Sequence, residues 1–402
     1  MRILRFLLIS LCILPVATAG EILTLKGEAI KGDIVRVSDT EVVFNQGGTK
    51  KTLPMKEVLK IDFREPSKAT IEKYSRVELH DGTVLLVTEW KIRKREITLN
   101  LLSGPIVTLP LTAVANLLNR AEDEKHRTDW KSRTINLRGR EGFVVKKDTV
   151  ISTILATLGE GDDEGKIISA AITLDGETTT LKRSQTTIHG LIFKPNRDPN
   201  VKPELCRLFD TMGNVVMVSE IVPKEGGVEI TTPGGVKFGF AYEQLSRLDY
   251  QKGKLDYLSS LDPSKVLAKS NLDEDTKPDQ WHIYKDTNLN KGPLTLGGVV
   301  YTSGLALKPY CELTYDLKGD YREFTALVGL DDNVSASGKT ILIVEGDDKV
   351  LGTVEISADD KKRFKPLTLN VKDVQRLKIT VKADGEFDIA RHLDLADAKV
   401  SK

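Results

Sequence analysis

Apolar and polar residues alternate in short runs along most of the chain, and Gly, Pro, Asp and Asn break the runs at roughly eight- to twelve-residue intervals, the pattern of many short strands rather than long helices. Between Glu21 and Phe63 the runs are Leu23-Thr24-Leu25, Ile34 to Val37, Val42-Val43-Phe44 and Thr52-Leu53-Pro54-Met55, then Val58 and Ile61. The next segment repeats the order: Val77-Glu78-Leu79, Ile97 to Leu101, Thr108-Leu109-Pro110-Leu111, then Val114 and Leu117. Thr-Leu-Pro-apolar recurs with Val four residues after each Pro, an internal repeat of about 55 residues. Each copy is predicted to hold five short strands and a one-turn helix, as in a small SH3-like or Sm-like barrel. Two looser copies follow, closing on Ile188 to Phe193 and on Leu245 to Tyr250. The expected units are 20–66, 74–120, 134–196 and 203–262. Charge-rich Ala121 to Ser132 reads as a solvated helix or linker, Pro195 to Pro203 as a spacer, and Pro263 to Asp279 as the linker to a final domain over 280–402.

In that final domain Phe324 to Leu330 places Phe, Ala, Val and Leu on one face with period 2 and ends in the acidic turn Asp331-Asp332-Asn333. Thr340 to Val344 is the next strand, Gly346-Asp347-Asp348-Lys349 is a hairpin turn, and Leu377, Ile379 and Val381 alternate again. Short strands with no long amphipathic helix between them predict a β-sandwich. The chain is therefore expected to be all-β throughout.

Composition narrows the partners. Lys and Arg number 59 against 58 Asp and Glu, so nothing points to nucleic acid. Arg2 and Arg5, the apolar run Phe6 to Val16 and Ala17-Thr18-Ala19 read as a secretory signal peptide over 1–19, cleaved near Ala19, leaving an exported chain without a membrane span. Cys206 and Cys311 fall in different units and read as buried free thiols rather than a bridge. The five His residues have no i, i+4 pair, and there is no phosphate loop, no Gly-x-Ser-x-Gly and no Cys-x-x-Cys. No catalytic constellation is expected.

Leu296-Gly297-Gly298, Tyr301-Thr302-Ser303-Gly304-Leu305, Tyr315-Asp316-Leu317, Phe324 to Asp332 and Leu395-Ala396-Asp397-Ala398, in this order and spacing, resemble the NPCBM domain. This is a carbohydrate-binding module family associated with glycoside hydrolase family 98. The resemblance covers roughly the last 120 residues and implies a galactose-binding-like jelly roll, appended to other domains outside the cytoplasm. Where the family often has His and Trp, this chain has Lys308 and Leu395. A string of β-units ahead of such a domain resembles exported proteins of environmental bacteria such as planctomycetes.

A sugar needs a flat apolar platform and nearby polar groups. Tyr301 and Tyr310 are the expected platforms. Trp281 and Tyr284 are weighed beside them, with packing the plainer role for Trp281. Asp331, Asp332, His392 and Asp394 are the expected polar contacts, although Asp331 to Asn333 also suits simple turn chemistry. Asp286-Thr287-Asn288-Leu289-Asn290 is oxygen-rich, and with Asp397 makes a candidate calcium set of Asp286, Asn288 and Asp397; Asp397 would serve equally to tie down the last strand. Three functions stay open: a non-catalytic carbohydrate-binding protein, a scaffold contacting envelope proteins through its sheet edges, and an accessory part of a glycoside hydrolase system.

Overall fold

The computed structural model describes residues 18–67, 73–137, 139–147, 150–174, 176–195, 201–268, 283–385 and 390–402. The candidate Trp281 and the expected signal peptide lie outside these residues, except Thr18 and Ala19, which pair with Ile34 and Asp33 in the strand Thr18–Thr24. The chain divides into two compact units, Met1–Tyr250 and Gln251–Lys402.

The first unit is organised by four short strands, Val58–Asp62, Val114–Leu118, Ile188–Ile192 and Leu245–Asp249, each preceded by a one-turn 3-10 helix. Each closes one sequence repeat by pairing with that repeat's first strand, respectively Thr18–Thr24, Ser75–Leu79, Gly142–Lys147 and Cys206–Asp210. In all four the ladder shifts by one residue after the first residue of the closing strand, so Leu59, Ala115, His189 and Ser246 are bulged. The bulge lets both the first and the fourth residue reach the core: Val58 and Ile61, Val114 and Leu117, Ile188 and Leu191, Leu245 and Leu248.

The closing strands also join the repeats to one another. Ile61 faces Leu248, joining repeats 1 and 4, and Leu117 faces Leu191, joining repeats 2 and 3. Fourth residue meets fourth residue in both, so each junction has local two-fold geometry. Repeats 2 and 4 meet through their second strands at Val84 and Val215. That contact is reciprocal: Met217 N donates to Thr83 Oγ1 at 3.1 Å, and Leu86 N donates to Asn214 Oδ1 at 2.5 Å. The order in space is thus repeat 3, 2, 4, 1, along a 16-stranded sheet.

Ala121 to Ser132, expected as a solvated helix or linker, is mostly the helix Glu124–Asn136, capped by Asp123, whose carboxylate accepts Lys125 N at 2.8 Å. Its charged residues face out, but His126 and Trp130 are buried. Trp130 lies in a small apolar cluster with Leu118, Ala121, Val144 and Ile192, over the junction of repeats 2 and 3.

The second unit has two sheets enclosing their own core. One sheet has the order Ile283–Lys285, Gly304–Leu307, Leu393–Ser401, Glu323–Gly329, Phe364–Asn370, with Leu255–Tyr257 also paired to Leu393–Ser401. The other has the order Lys265–Ala268, Cys311–Asp316, Arg376–Ala383, Lys339–Gly346, Lys349–Ser357. The segment expected as a linker from Pro263 therefore begins with a strand, Lys265–Ala268, paired to Cys311–Asp316. As the edge strand of its sheet it packs Val266 against the core and leaves Lys265 and Leu267 exposed. Cys206 and Cys311 are both buried and free.

Candidate functional site

Leu393–Ser401 is the central strand of the first sheet of the second unit. Leu393 and Leu395 point into the sandwich core, which accounts for Leu395 standing where a ring was expected. Asp394 and Ala396 alternate to the opposite face and are nevertheless fully buried. The hairpin Leu294–Leu296 with Val299–Tyr301 packs over the same strand and buries Leu294, Thr295 and Leu296. Its tip is Gly297-Gly298. Gly297 has φ of 63°, and a Cβ there would stand 2.4 Å from the Phe364 ring, so conformation and contact both require glycine.

Beneath the hairpin is a buried polar group. Asp331 is wholly inaccessible. Its carboxylate accepts Thr295 N at 2.7 Å, Asn333 N at 2.8 Å and Asn288 Nδ2 at 3.1 Å. Its own N–H donates to His392 Nε2 at 3.0 Å. Burial, partly offset by the Asp331 charge, holds the His392 pKa down to about 4. The ring is therefore neutral near pH 7, with Nε2 free to accept. Burial, together with the adjacent Asp331 carboxylate, pushes Asp394 well above the usual carboxylate range. These three residues, expected as sugar contacts, are sealed from solvent, and Asp331 and His392 fasten loops to the sheet.

Each calcium candidate is engaged by groups of the chain itself. Asp286 Oδ1 accepts Gly304 N at 3.0 Å. Asn288 Oδ1 accepts Asn290 N at 3.0 Å and Gly292 N at 2.9 Å, and its amide nitrogen serves Pro293 O and Asp331. Asp397, at a φ of 52°, pairs with Lys399 Nζ at 2.6 Å. Among the described residues no three His, Cys, Asp or Glu are grouped to hold a metal ion.

The two tyrosines also part. Tyr301 precedes the strand Gly304–Leu307 and Tyr310 follows it, so they sit beyond opposite ends. Tyr310 is tied down: its hydroxyl donates to Gly385 O, and its N–H to Val381 O at 2.7 Å. Tyr301 is half-buried, its pKa raised by burial and by the Asp397 charge. Tyr284 is half-buried in Ile283–Lys285.

The exposed face therefore consists of Tyr301, with Val299 and Val300 beside it at 53% and 58% exposure, and the polar rim at the hairpin tip. On that rim Asp332 accepts Gly298 N at 2.8 Å, and Arg363 stands 3.9 Å from the Asp332 carboxylate. Lys362 lies over the Phe364 ring at 4.8 Å. Of this surface the sequence named Tyr301, Asp332 and Asp397; Arg363, Phe364 and Lys399 were not singled out.

Residues 257–401 match the family model described as NPCBM/NEW2 domain. Among solved structures the chain is similar to a CBM51 module from a Clostridium perfringens GH95 protein in complex with methyl-galactose, at 22% identity, covering 37% of this chain and 99% of that one, with a TM-score of 0.32. It is also similar to tandem CBM51 modules of a family 98 glycoside hydrolase from Streptococcus pneumoniae, at 13% identity over 95% and 87% of the chains and a TM-score of 0.31. A third is the CBM51-2 and INT domains of Clostridium perfringens ZmpB in complex with GlcNAc, at 19% identity over 47% of this chain and 42% of that one, with a TM-score of 0.32. No curated protein matches the chain. The C-terminal β-sandwich, over residues 257–401, is an NPCBM/NEW2 domain.

Proposed function

We propose that this is a non-catalytic, exported protein whose NPCBM/NEW2 domain holds carbohydrate. The observation that carries the reading is the family match over residues 257–401. The exposed face around the hairpin supports it: the Tyr301 ring offers a platform, while Asp332 and Arg363 on one side and Asp397 and Lys399 on the other offer acceptors and donors for hydroxyls. Tyr310, Asp331, His392 and Asp394 are structural in this reading. The export signal is the basic, apolar and small-residue succession of residues 1–19. Among the described residues no helix is long and apolar enough to cross a membrane.

A shallow site with one ring and a few hydrogen bonds implies affinity of about 1 mM, or about −4 kcal/mol. Titration of the full chain against a panel of neutral and acidic glycans tests the reading. Binding should fall to below about a fifth in Tyr301→Ala, a loss of about 1 kcal/mol from the ring, and should survive in Tyr310→Ala. Absence of binding to every glycan, with and without calcium, would favour the scaffold function.

A further inference from the structure

The helix Glu124–Asn136 is held over the junction of repeats 2 and 3 by contacts of two kinds. The first is apolar and steric. Trp130 packs over Gly190, where an added Cβ would come within 2.3 Å of the indole, and its Nε1 donates to Asn116 Oδ1 at 2.9 Å. The second is a pair of imidazoles. His126 of the helix meets His189 of the closing strand edge-on, with ring centroids 4.8 Å apart and planes at 81°. Both rings are nearly inaccessible, at 8% and 5% exposure. His189 is the bulged residue of its strand, which is why its side chain reaches the helix.

The surroundings favour two neutral rings. His126 Nδ1 lies 3.2 Å from Arg120 O, an acceptor, so Nδ1 carries the proton. Nε2 lies 2.9 Å from the Lys146 ammonium, a donor, and must offer its lone pair. A second proton on His126 would set an N–H against that ammonium. His189 Nε2 is buried with no hydrogen-bond partner, so a charge there would go unsolvated. The other charged groups around the pair are Asp123, 3.8 Å from His126 Nε2, and the helix's own Asp129 and Arg133, which are paired to each other at 2.6 Å. The strands beneath contribute Lys146 to this group.

We propose that the His126–His189 contact is an acid-operated latch: protonation of His189 releases the helix from the junction it covers. Release uncovers Leu118, Val144 and Ile192. It also breaks the hydrogen bonds of Arg133 to Ile151 O and Thr153 Oγ1 of the strand Val150–Leu155, at 3.2 Å and 3.0 Å. The sign follows from His189, whose pKa is lowered to about 4, first by burial and then by His126 and Lys146. A histidine that binds its proton less readily when docked stabilises the docked state above about pH 6.5 and loses that contribution as pH falls toward about 4.

The test is hydrogen–deuterium exchange of the full chain at about pH 7 and about pH 4.5, corrected for intrinsic rates. Protection of residues 124–136 is compared with that of the strand Cys206–Asp210 in the same unit. Relative protection of the helix should fall by about tenfold or more in acid. In His189→Phe, which keeps a ring and cannot titrate, the fall should disappear. In Lys146→Met the fall should shrink, because removing the ammonium raises the folded-state pKa toward its ordinary value. An unchanged ratio in the native chain, or a fall of equal size in His189→Phe or in Lys146→Met, overturns the latch.

Discussion

Asp331 and Asp332 are adjacent and chemically identical, yet one is sealed and the other lies on the rim. Alternation beyond the strand Glu323–Gly329 puts Asp331 on the face away from the core, where the hairpin strand Leu294–Leu296 covers it and the N–H groups of Thr295 and Asn333 donate to it. The sequence made Asp-Asp-Asn legible as a strand-ending turn but not which carboxylate was sealed, because that depends on which loop folds over the strand end. The difference is measurable. Asp331→Ala leaves the Thr295 and Asn333 N–H groups without an acceptor, takes one of two acceptors from the Asn288 amide, and should destabilise the second unit by about 3 kcal/mol in urea unfolding. Asp332→Ala should change stability little and weaken glycan binding. Asp394 carries its own pH signature. Its carboxyl holds a proton more tightly folded than unfolded, so its contribution favours the fold at low pH and is lost as pH rises from about 4 toward its raised pKa. Asp394→Asn, neutral throughout, should raise the unfolding midpoint at neutral pH and leave it nearly unchanged near pH 3. In the first unit Gly190→Ala should cost about 1–3 kcal/mol, since the added methyl meets the Trp130 ring or the Leu117 carbonyl, both held by packing.

At the scale of elements, the four closing strands share one core pattern and differ on the opposite face. Their third and fifth residues are Asn116 with Leu118 and Gly190 with Ile192 at the junction that the helix covers, but Lys60 with Asp62 and Arg247 with Asp249 at the other. There Lys60 and Arg247 pair with Asp62 at 2.7 Å and 2.5 Å, a face suited to water. The core residues were readable as a recurring apolar spacing, and this made the repeats visible. The pairing of repeat 1 with 4 and 2 with 3 was not, because any of the four strands could satisfy that spacing. The second strands show why the array ends where it does. Thr83 and Asn214 follow their turn glycines and reach across to the other repeat; the same place after Gly27 in repeat 1 is Glu28, and the residue matching Leu86 and Met217 is Lys31. Two charges on an open edge oppose strand pairing. Glu28→Thr with Lys31→Leu should remove that block and let two chains meet edge to edge about a two-fold axis. Sedimentation velocity at about 100 µM should show a larger species than the native chain gives; an unchanged profile would mean that the edge is closed by more than these two charges.

For the whole molecule, the all-β character was legible in the sequence, and the structure divides the chain into two compact units at Tyr250 and Gln251. Pro263 to Asp279 has the polar composition of a linker, and composition alone cannot tell a linker from a short edge strand whose side chains face water. The structure puts Leu255–Tyr257 beside Leu393–Ser401 and Lys265–Ala268 beside Cys311–Asp316, and both short strands belong to the second unit. Leu258, just after the first of them, is fully buried in that unit's core. A fragment beginning at Gln251 keeps both strands and Leu258. A fragment beginning at residue 280 loses them, leaving a hole in the core and unpaired backbone along Leu393–Ser401 and Cys311–Asp316. Removing one buried Leu side chain costs about 2–5 kcal/mol, and domains of this size are stable by only about 5–15 kcal/mol. The fragment 251–402 should therefore unfold cooperatively in urea, and the fragment 280–402 should unfold at a clearly lower urea concentration or aggregate through its open edges. Equal midpoints for the two fragments would show that the short strands and Leu258 add nothing, and would return the boundary to the polar segment.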